Sequence, residues 1–240
     1  MALVTGGGRR LGAAMVRALH GAGARVNIHC NRSHADADAL ASELEAVRTD
    51  STRVLAGDLL DPATCGRIAT EAAAAWGRLD VVVNNASMFY PTAVGAIDAQ
   101  VFDDLVGSNL RAPLFVSQAA APALRENRGC IVNMADIHGL RPREGYPVYC
   151  AAKAGLVMLT QSLARELAPA VRVNAIAPGS ILWPEGPAGA GDAERNAILA
   201  ATPLGRQGTA EDITSALLYL VTGSAFVTGH VLPVDGGRGI

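Results

Sequence analysis

The sequence predicts an α/β fold: one domain built on a doubly wound parallel sheet of about seven strands. Three observations lead there. Short apolar runs recur along the chain, each followed by a segment of helical periodicity, and this β-α alternation is the pattern of a parallel sheet with helices on both faces. The first run, residues 2–5, feeds directly into Thr5-Gly6-Gly7-Gly8-Arg9-Arg10-Leu11-Gly12. Later runs deliver small polar residues, as in Asn84-Asn85-Ala86-Ser87 and Ala135-Asp136, which suits strand ends that open onto a ligand crevice.

The elements follow in order. After the glycine-rich turn a helical pattern runs through His20, so Gly6, Arg10 and Leu11 lie where backbone N–H groups and a helix dipole can receive a phosphate. A dinucleotide pyrophosphate is the natural guest. Gly21 and Gly23 end that helix, and residues 25–30 read as the second strand, running into Asn31-Arg32-Ser33. A carboxylate near this strand end would take ribose hydroxyls, whereas a basic residue accommodates a 2′-phosphate. Here stands Arg32, able to hold phosphate with two parallel charge-assisted bonds, so NADPH is favoured over NADH. A helix over 33–47 and a strand over 53–56 come next. Asp58 then either pairs with the adenine edge or caps its turn, and Asp61-Pro62 opens a helix as N-cap and first-turn proline.

Residues 80–83 form a short buried strand that delivers Asn85, Ala86, Ser87 and Phe89 at its carboxyl end. Phe89 either stacks on a planar substrate or fills core space. A helical stretch over 98–124 contains Asn109 and the interior Pro113, which should kink it and free carbonyls nearby. The strand over 129–134 leads to Asp136, and the helix around Tyr149 runs to about residue 167. A strand over 171–176 ends in Ala177-Pro178-Gly179. Residues 180–208, rich in Gly, Pro and Ala, form a loop long enough to cover a substrate, with a short helical patch at 193–201. A helix over 209–221 and a strand over 229–234 close the chain.

The chemistry centres on residues 136–153. Tyr149 and Lys153 are one helical turn apart on one face, which sets a phenol beside an ammonium. A free Tyr titrates near pH ~10, and a nearby cation favours its phenolate; a shift of two to three units takes roughly 3–4 kcal/mol. Lys153 is expected to lower the Tyr149 pKa in this way.

Composition narrows the function. A formal charge of −2 gives no basic footprint for nucleic acid and no polybasic run for a membrane surface. No apolar stretch approaches ~18 residues and no signal peptide opens the chain, so a cytoplasmic protein is expected. The four cysteines form no CxxC pair and the five histidines show no ligand spacing, so no metal site is expected.

In order, Thr5 to Gly12, Asn84-Asn85-Ala86, Asn109, Tyr149-x-x-x-Lys153 and Asn174-x-x-x-Pro178-Gly179 resemble the short-chain dehydrogenase/reductases over nearly the whole length. The resemblance implies a Rossmann-type fold and a nicotinamide cofactor. It makes Tyr149 the acid/base, has Lys153 hold the nicotinamide ribose, and lets Asn109 support a proton-relay water. A homotetramer is expected, being common in that family.

Three departures narrow it: Arg10 where a second Gly is usual, Ser87 where Gly is usual, and Asp136 where a Ser is expected. Together they are similar to the pteridine reductases and dihydromonapterin reductases. That subfamily implies that Arg10 reaches pyrophosphate and substrate, and that Asn31, Arg32 and Ser33 take the 2′-phosphate. Phe89 then faces the pterin, while Ser87, Asp136 and Tyr149 bond its edge. A Ser hydroxyl can donate to a developing oxyanion, but an ionised carboxylate only accepts, so Asp136 suits a substrate with N–H donors. The competing readings are a carbonyl reductase acting on 3-oxoacyl thioesters or sugars, and a nucleotide sensor without turnover. Whether biopterin, monapterin or folate is the pterin stays open at this level.

Overall fold

Strand periodicity of two sorts the apolar side chains onto opposite faces of one sheet. Within β1 (Ala2–Val4), Ala2 and Val4 face one hydrophobic cluster while Leu3 faces the other. β4 (Val81–Asn84) and β5 (Cys130–Met134) split the same way, with Val82 and Ile131 on the Leu3 side. Both faces are therefore covered, as a parallel sheet requires. The computed structural model describes residues 1–183 and 191–240. With β2 (Val26–Cys30), β3 (Thr52–Ala56), β6 (Arg172–Pro178) and β7 (Val231–Val234), the strands lie in the order β3-β2-β1-β4-β5-β6-β7, all parallel.

On one face pack α1 (Arg10–Gly21) and α2 (His34–Val47), through Met15, Val16, Leu19, Leu40 and Leu44. On the other, α3 (Pro62–Ala74) contributes Ile68. Next to it come α4 (Ala99–Val106), α5 (Ala112–Glu126) and α6 (Pro147–Leu167). The described chain after residue 190 adds α7 (Asp192–Ala200) and α8 (Ala210–Leu218), the latter returning Ile213 and Leu217 to the first face. The expected substrate loop 180–208 thus falls partly outside the described residues. Among the described residues no helix is long and apolar enough to cross a membrane.

One expectation changes in detail. The helix over 98–124 widens before Pro113, into a π-helical turn over Gly107–Arg111, and Pro113 sits in the first turn of α5. Pro113 has no N–H to give the Asn109 carbonyl, and the chain widens just before it, where the Ala112 N–H reaches back to the Gly107 carbonyl. A short 3₁₀ turn, Ile137–Gly139, follows β5. Because strand order reverses direction between β1 and β4, the carboxyl ends of these two strands part and leave a crevice.

Candidate active site

The crevice begins as main chain. Gly6 has φ +60, a left-handed conformation that favours glycine, and a Cβ on Gly12 would lie 2.1 Å from the Gly6 carbonyl oxygen. No side chain caps α1, so the helix presents its first N–H groups at this turn. Three strand ends hold the turn. Thr5 Oγ1 accepts from the N–H groups of Asn85 at 2.9 Å and Ala86 at 3.0 Å, and Asn85 Nδ2 donates to the carbonyls of Thr5 and Gly6 at 2.9 and 3.1 Å. His29 in β2 completes the frame: its Nδ1 accepts from the Gly6 N–H at 3.1 Å and its Nε2–H donates to the Gly57 carbonyl at 3.0 Å. This bonding fixes the neutral tautomer, and burial pushes the His29 pKa down.

A cavity of about 460 Å³ runs from Gly6 past Asn31, Arg32, Ser33 and Asp58 to Ala86 and Ser87. Arg32 is exposed on its wall. Asp58 lines the same wall and also caps its own turn, its carboxylate accepting from the Leu60 N–H at 3.0 Å. Arg9 and Asp36, 3.6 Å apart, add a charge pair there that the sequence reading did not include. Arg10 has φ 51, strained for a side chain with a Cβ, and its Nη2 donates to the Trp183 carbonyl at 2.8 Å. The glycine-rich turn is thereby tied to the start of the loop after β6.

Beyond Ser87 a second cavity, about 220 Å³, is lined by Arg10, Leu11, Asp136, Tyr149, Lys153, Pro178 and Gly179. Gly179 is pressed against β7's end, where a Cβ would come within 2.7 Å of Asp235 Cα. Tyr149 and Lys153 are 4 % and 3 % exposed, so their partners decide their charge. Tyr149 Oη donates to Asp136 Oδ2 at 2.7 Å, while Asp136 Oδ1 accepts from the His138 N–H at 2.8 Å and caps the 3₁₀ turn. Asp136 is thus both a cap and a partner of the phenol. Lys153 Nζ donates to the Met134 carbonyl at 2.8 Å and lies 5.6 Å from the Tyr149 ring centroid.

These contacts reverse one expectation. Burial first, then the charge and hydrogen bond of Asp136, push the Tyr149 pKa well above its ordinary value, and Lys153 does not offset them. Lys153 spends its bond on a backbone carbonyl, and burial brings its own pKa down to about 8. In this arrangement the phenol is a proton donor, held protonated against a carboxylate.

Asn109 sits in the π-helical turn, 1 % exposed. Its Nδ2 donates to the Met88 and Leu105 carbonyls, both at 2.9 Å, and its Oδ1 accepts from Ser87 Oγ at 2.6 Å. Asn109 therefore fixes the segment after β4, including Ser87. Pro113, four residues on, has no N–H to give the Asn109 carbonyl. Phe89 reaches the site as expected, yet one face of its ring is taken: Tyr146 stacks on it at 4.7 Å and Tyr149 meets it edge-on at 4.8 Å. A third cavity, about 180 Å³, opens from Phe89, Asp136 and Tyr149 toward Arg143, Trp183, Glu194 and Arg238. The sequence carried no signal for these last four, because they come from four separate segments and meet only in the fold. His29 was equally silent, reading as one more strand residue.

The glycine turn, the N–H groups of α1 and a crevice continuous to Tyr149 fit a nicotinamide dinucleotide. A family model described as enoyl-(acyl carrier protein) reductase matches residues 8–238. Pteridine reductase 1 of Leishmania tarentolae is 37% identical over 279 aligned positions, covering 99% of this chain and 95% of that protein. An uncharacterized oxidoreductase of Mycobacterium tuberculosis is 37% identical over 241 positions, covering 99% and 91%. L-xylulose reductase of Bos taurus is 36% identical over 241 positions, covering 98% and 95%.

Proposed function

The chain belongs to the short-chain dehydrogenase/reductase family of nicotinamide-dependent oxidoreductases, and within it we propose an NADPH-dependent pteridine reductase that converts a (dihydro)pterin to the tetrahydropterin. One observation carries the reading: Asp136 accepts the Tyr149 hydroxyl at 2.7 Å on the wall of the crevice. An ionised carboxylate there repels the oxyanion that forms when a carbonyl is reduced. It suits a substrate edge that brings N–H donors and a ring nitrogen in need of a proton. A 2-aminopterin has both. The similarity to pteridine reductase 1 supports the same substrate.

When bound, the reduced nicotinamide supplies a hydride. The chain's own residues do the rest. Arg32, with Asn31 and Ser33, holds the 2′-phosphate, and the Gly6 to Gly12 turn receives the pyrophosphate on main-chain N–H groups. Lys153, fastened to the Met134 carbonyl, presents a buried ammonium to the nicotinamide ribose. Asp136 accepts from the pterin N–H groups and orients the ring. Tyr149, kept protonated by burial and by Asp136, delivers the proton that must accompany the hydride. Ser87 and Arg10 bond the pterin edge, while Phe89, backed by Tyr146, lies against its face.

Steady-state NADPH oxidation with a panel of oxidised and dihydro pterins tests the reading, and Asp136→Ser sharpens it. That change restores the hydroxyl of a carbonyl reductase and should lower pterin turnover by roughly 10²–10⁴, the range of a positioned acid/base. Near-normal pterin turnover with Ser at 136 would remove the carboxylate from the mechanism. Absence of pterin turnover in the parent protein would instead favour reduction of a carbonyl, in a 3-oxoacyl thioester or in a sugar, the latter being the substrate class in the name of the bovine relative.

A further inference from the structure

Two N–H groups of the glycine-rich turn end on one residue. The Gly6 N–H donates to His29 Nδ1 at 3.1 Å and the Gly7 N–H to the His29 carbonyl at 2.8 Å, so a single position in β2 sets where the turn begins. The far side of the ring holds a second turn. Its Nε2–H donates to the Gly57 carbonyl at 3.0 Å, and the Gly57 N–H donates to the Cys30 carbonyl at 3.0 Å. Asp58 follows on the wall of the same cavity. The imidazole is a strut between the turn that fits a pyrophosphate and the turn beyond β3.

The strut works only when neutral. Its Nδ1 accepts and its Nε2 donates, whereas a protonated ring has two donors and would set Nδ1–H against the Gly6 N–H. At 2 % exposure the ring has little solvent to turn to instead. The charged groups around it are Arg67 on α3, whose Nη2 donates to the Ala56 carbonyl at 2.7 Å, Asp58 after β3, and Arg9, Arg32 and Asp36 on the cavity wall. His34, at the start of α2, turns to Cys30 Sγ at 3.7 Å. Burial pushes the His29 pKa down and Arg67 adds to this, against the Gly57 carbonyl and Asp58, so the ring is neutral at neutral pH and gains its proton only below the ordinary histidine value. No side chain caps α1, so the direction of its first N–H groups is set by the main chain that His29 holds from one side and Asn85 from the other.

We propose that His29 is a positioning residue for the dinucleotide: by holding Gly6 and Gly7 it aims the N–H groups at the head of α1 toward the pyrophosphate, and acid weakens cofactor binding by taking that brace away. The inference rests on the nicotinamide cofactor of the family, whichever substrate is reduced. Charge alone would act in the opposite sense, because a buried imidazolium near an anionic ligand tightens binding as pH falls. The two accounts therefore differ in sign.

Each half of the strut can be removed by itself. His29→Asn places an amide oxygen near the position of Nδ1 but does not reach Gly57; His29→Gln places an amide nitrogen near that of Nε2 and leaves the Gly6 N–H without its acceptor. Each variant loses one bond, so the two should melt at similar temperatures. Their NADPH affinities, from fluorescence titrations at about pH 7.5, should separate: His29→Gln should bind about tenfold more weakly, and His29→Asn should recover most of the parent's affinity. Amide exchange at Gly6, followed without cofactor, should quicken in His29→Gln alone. Toward about pH 5 the parent should lose affinity by roughly threefold or more relative to His29→Asn, which has no ring to protonate. The same titrations with NADH remove the 2′-phosphate, which itself titrates near pH ~6, so an acid dependence common to both cofactors belongs to the turn. Equal affinity of the parent for the two cofactors would fail the NADPH reading and leave the His29 effect standing. Affinities that fall alike in the two variants, or parent binding that tightens in acid relative to His29→Asn, would make the ring a packing residue and overturn the proposal.

Discussion

At the ends of β1, β2 and β3 the crevice wall is mainly backbone: glycine turns, the N–H groups of α1, and a neutral histidine bracing Gly6 against Gly57. At the ends of β5 and β6 the wall is made of side chains, with a phenol on a carboxylate and an ammonium buried beside them. The first wall recognises a shape common to dinucleotides and needs no buried charge. The second must hold a charge and a proton out of water, and burial has already moved Lys153 far from its ordinary pKa. Recognition and chemistry therefore draw on stability differently, and substitutions can pull the two walls apart.

The largest separation is expected from Tyr149→Phe. It removes the proton donor and leaves the main-chain wall intact, so turnover should fall by roughly 10²–10⁴ while NADPH titrations remain near the parent's. A collapse of cofactor binding would show that the two walls are not independent. Arg32→Asp probes the other wall. It replaces an attraction for the 2′-phosphate by a repulsion, and NADPH affinity should drop about 10–100-fold with NADH little affected. Equal efficiency with both cofactors in the parent protein would instead make Arg32 a solvated loop residue.

The smallest effect is in stability. An unfolded chain keeps its Lys proton to about pH 10.5, whereas the folded protein loses the Lys153 proton near 8. Between those values the unfolded state binds more protons, so stability rises with pH, and below 8 the buried ammonium is a standing cost. Lys153→Met should therefore stabilise the protein by about 1–2 kcal/mol at pH 7 while removing its activity, and the gap in urea midpoint should narrow toward pH 10. The His29 shift acts in the acid range. Its folded pKa is depressed, so stability present above the ordinary histidine value is lost as pH falls below it.

Much of this was legible in the chain. The seven strands announce themselves as short apolar runs, and the strand ends carrying Arg32, Asn85, Asp136 and Gly179 do converge on one crevice. Spacing also placed Tyr149 and Lys153 on one helix. What spacing could not supply was the partner of each group. Lys153 turns to Met134 and Tyr149 to Asp136, choices made by burial and by the 3₁₀ turn after β5, and together they reverse the direction of the phenol's shift. Arg10 meeting Trp183, and Arg143 meeting Glu194, join segments 173 and 51 residues apart that share no local pattern. The π-helical turn was signalled only in part: Gly107, Ser108 and Asn109 are poor helix formers and Pro113 withholds an N–H from the Asn109 carbonyl, but neither signal distinguishes a kink from a wider turn.

That wide turn has a consequence for the way the chain leaves β4. Each residue of an α-helix advances about 100°, so one extra residue in a turn sets α5 out of phase with α4 by about that angle. Asn109, inside the offset, meets Ser87 beyond the strand, while Ser117 in α5 meets Asn84 at its last residue. One rod thus touches the last residue of β4 and the segment beyond it, three residues apart. The helix thereby pins β4 at its end and the outgoing chain just past it, where that chain lines the crevice.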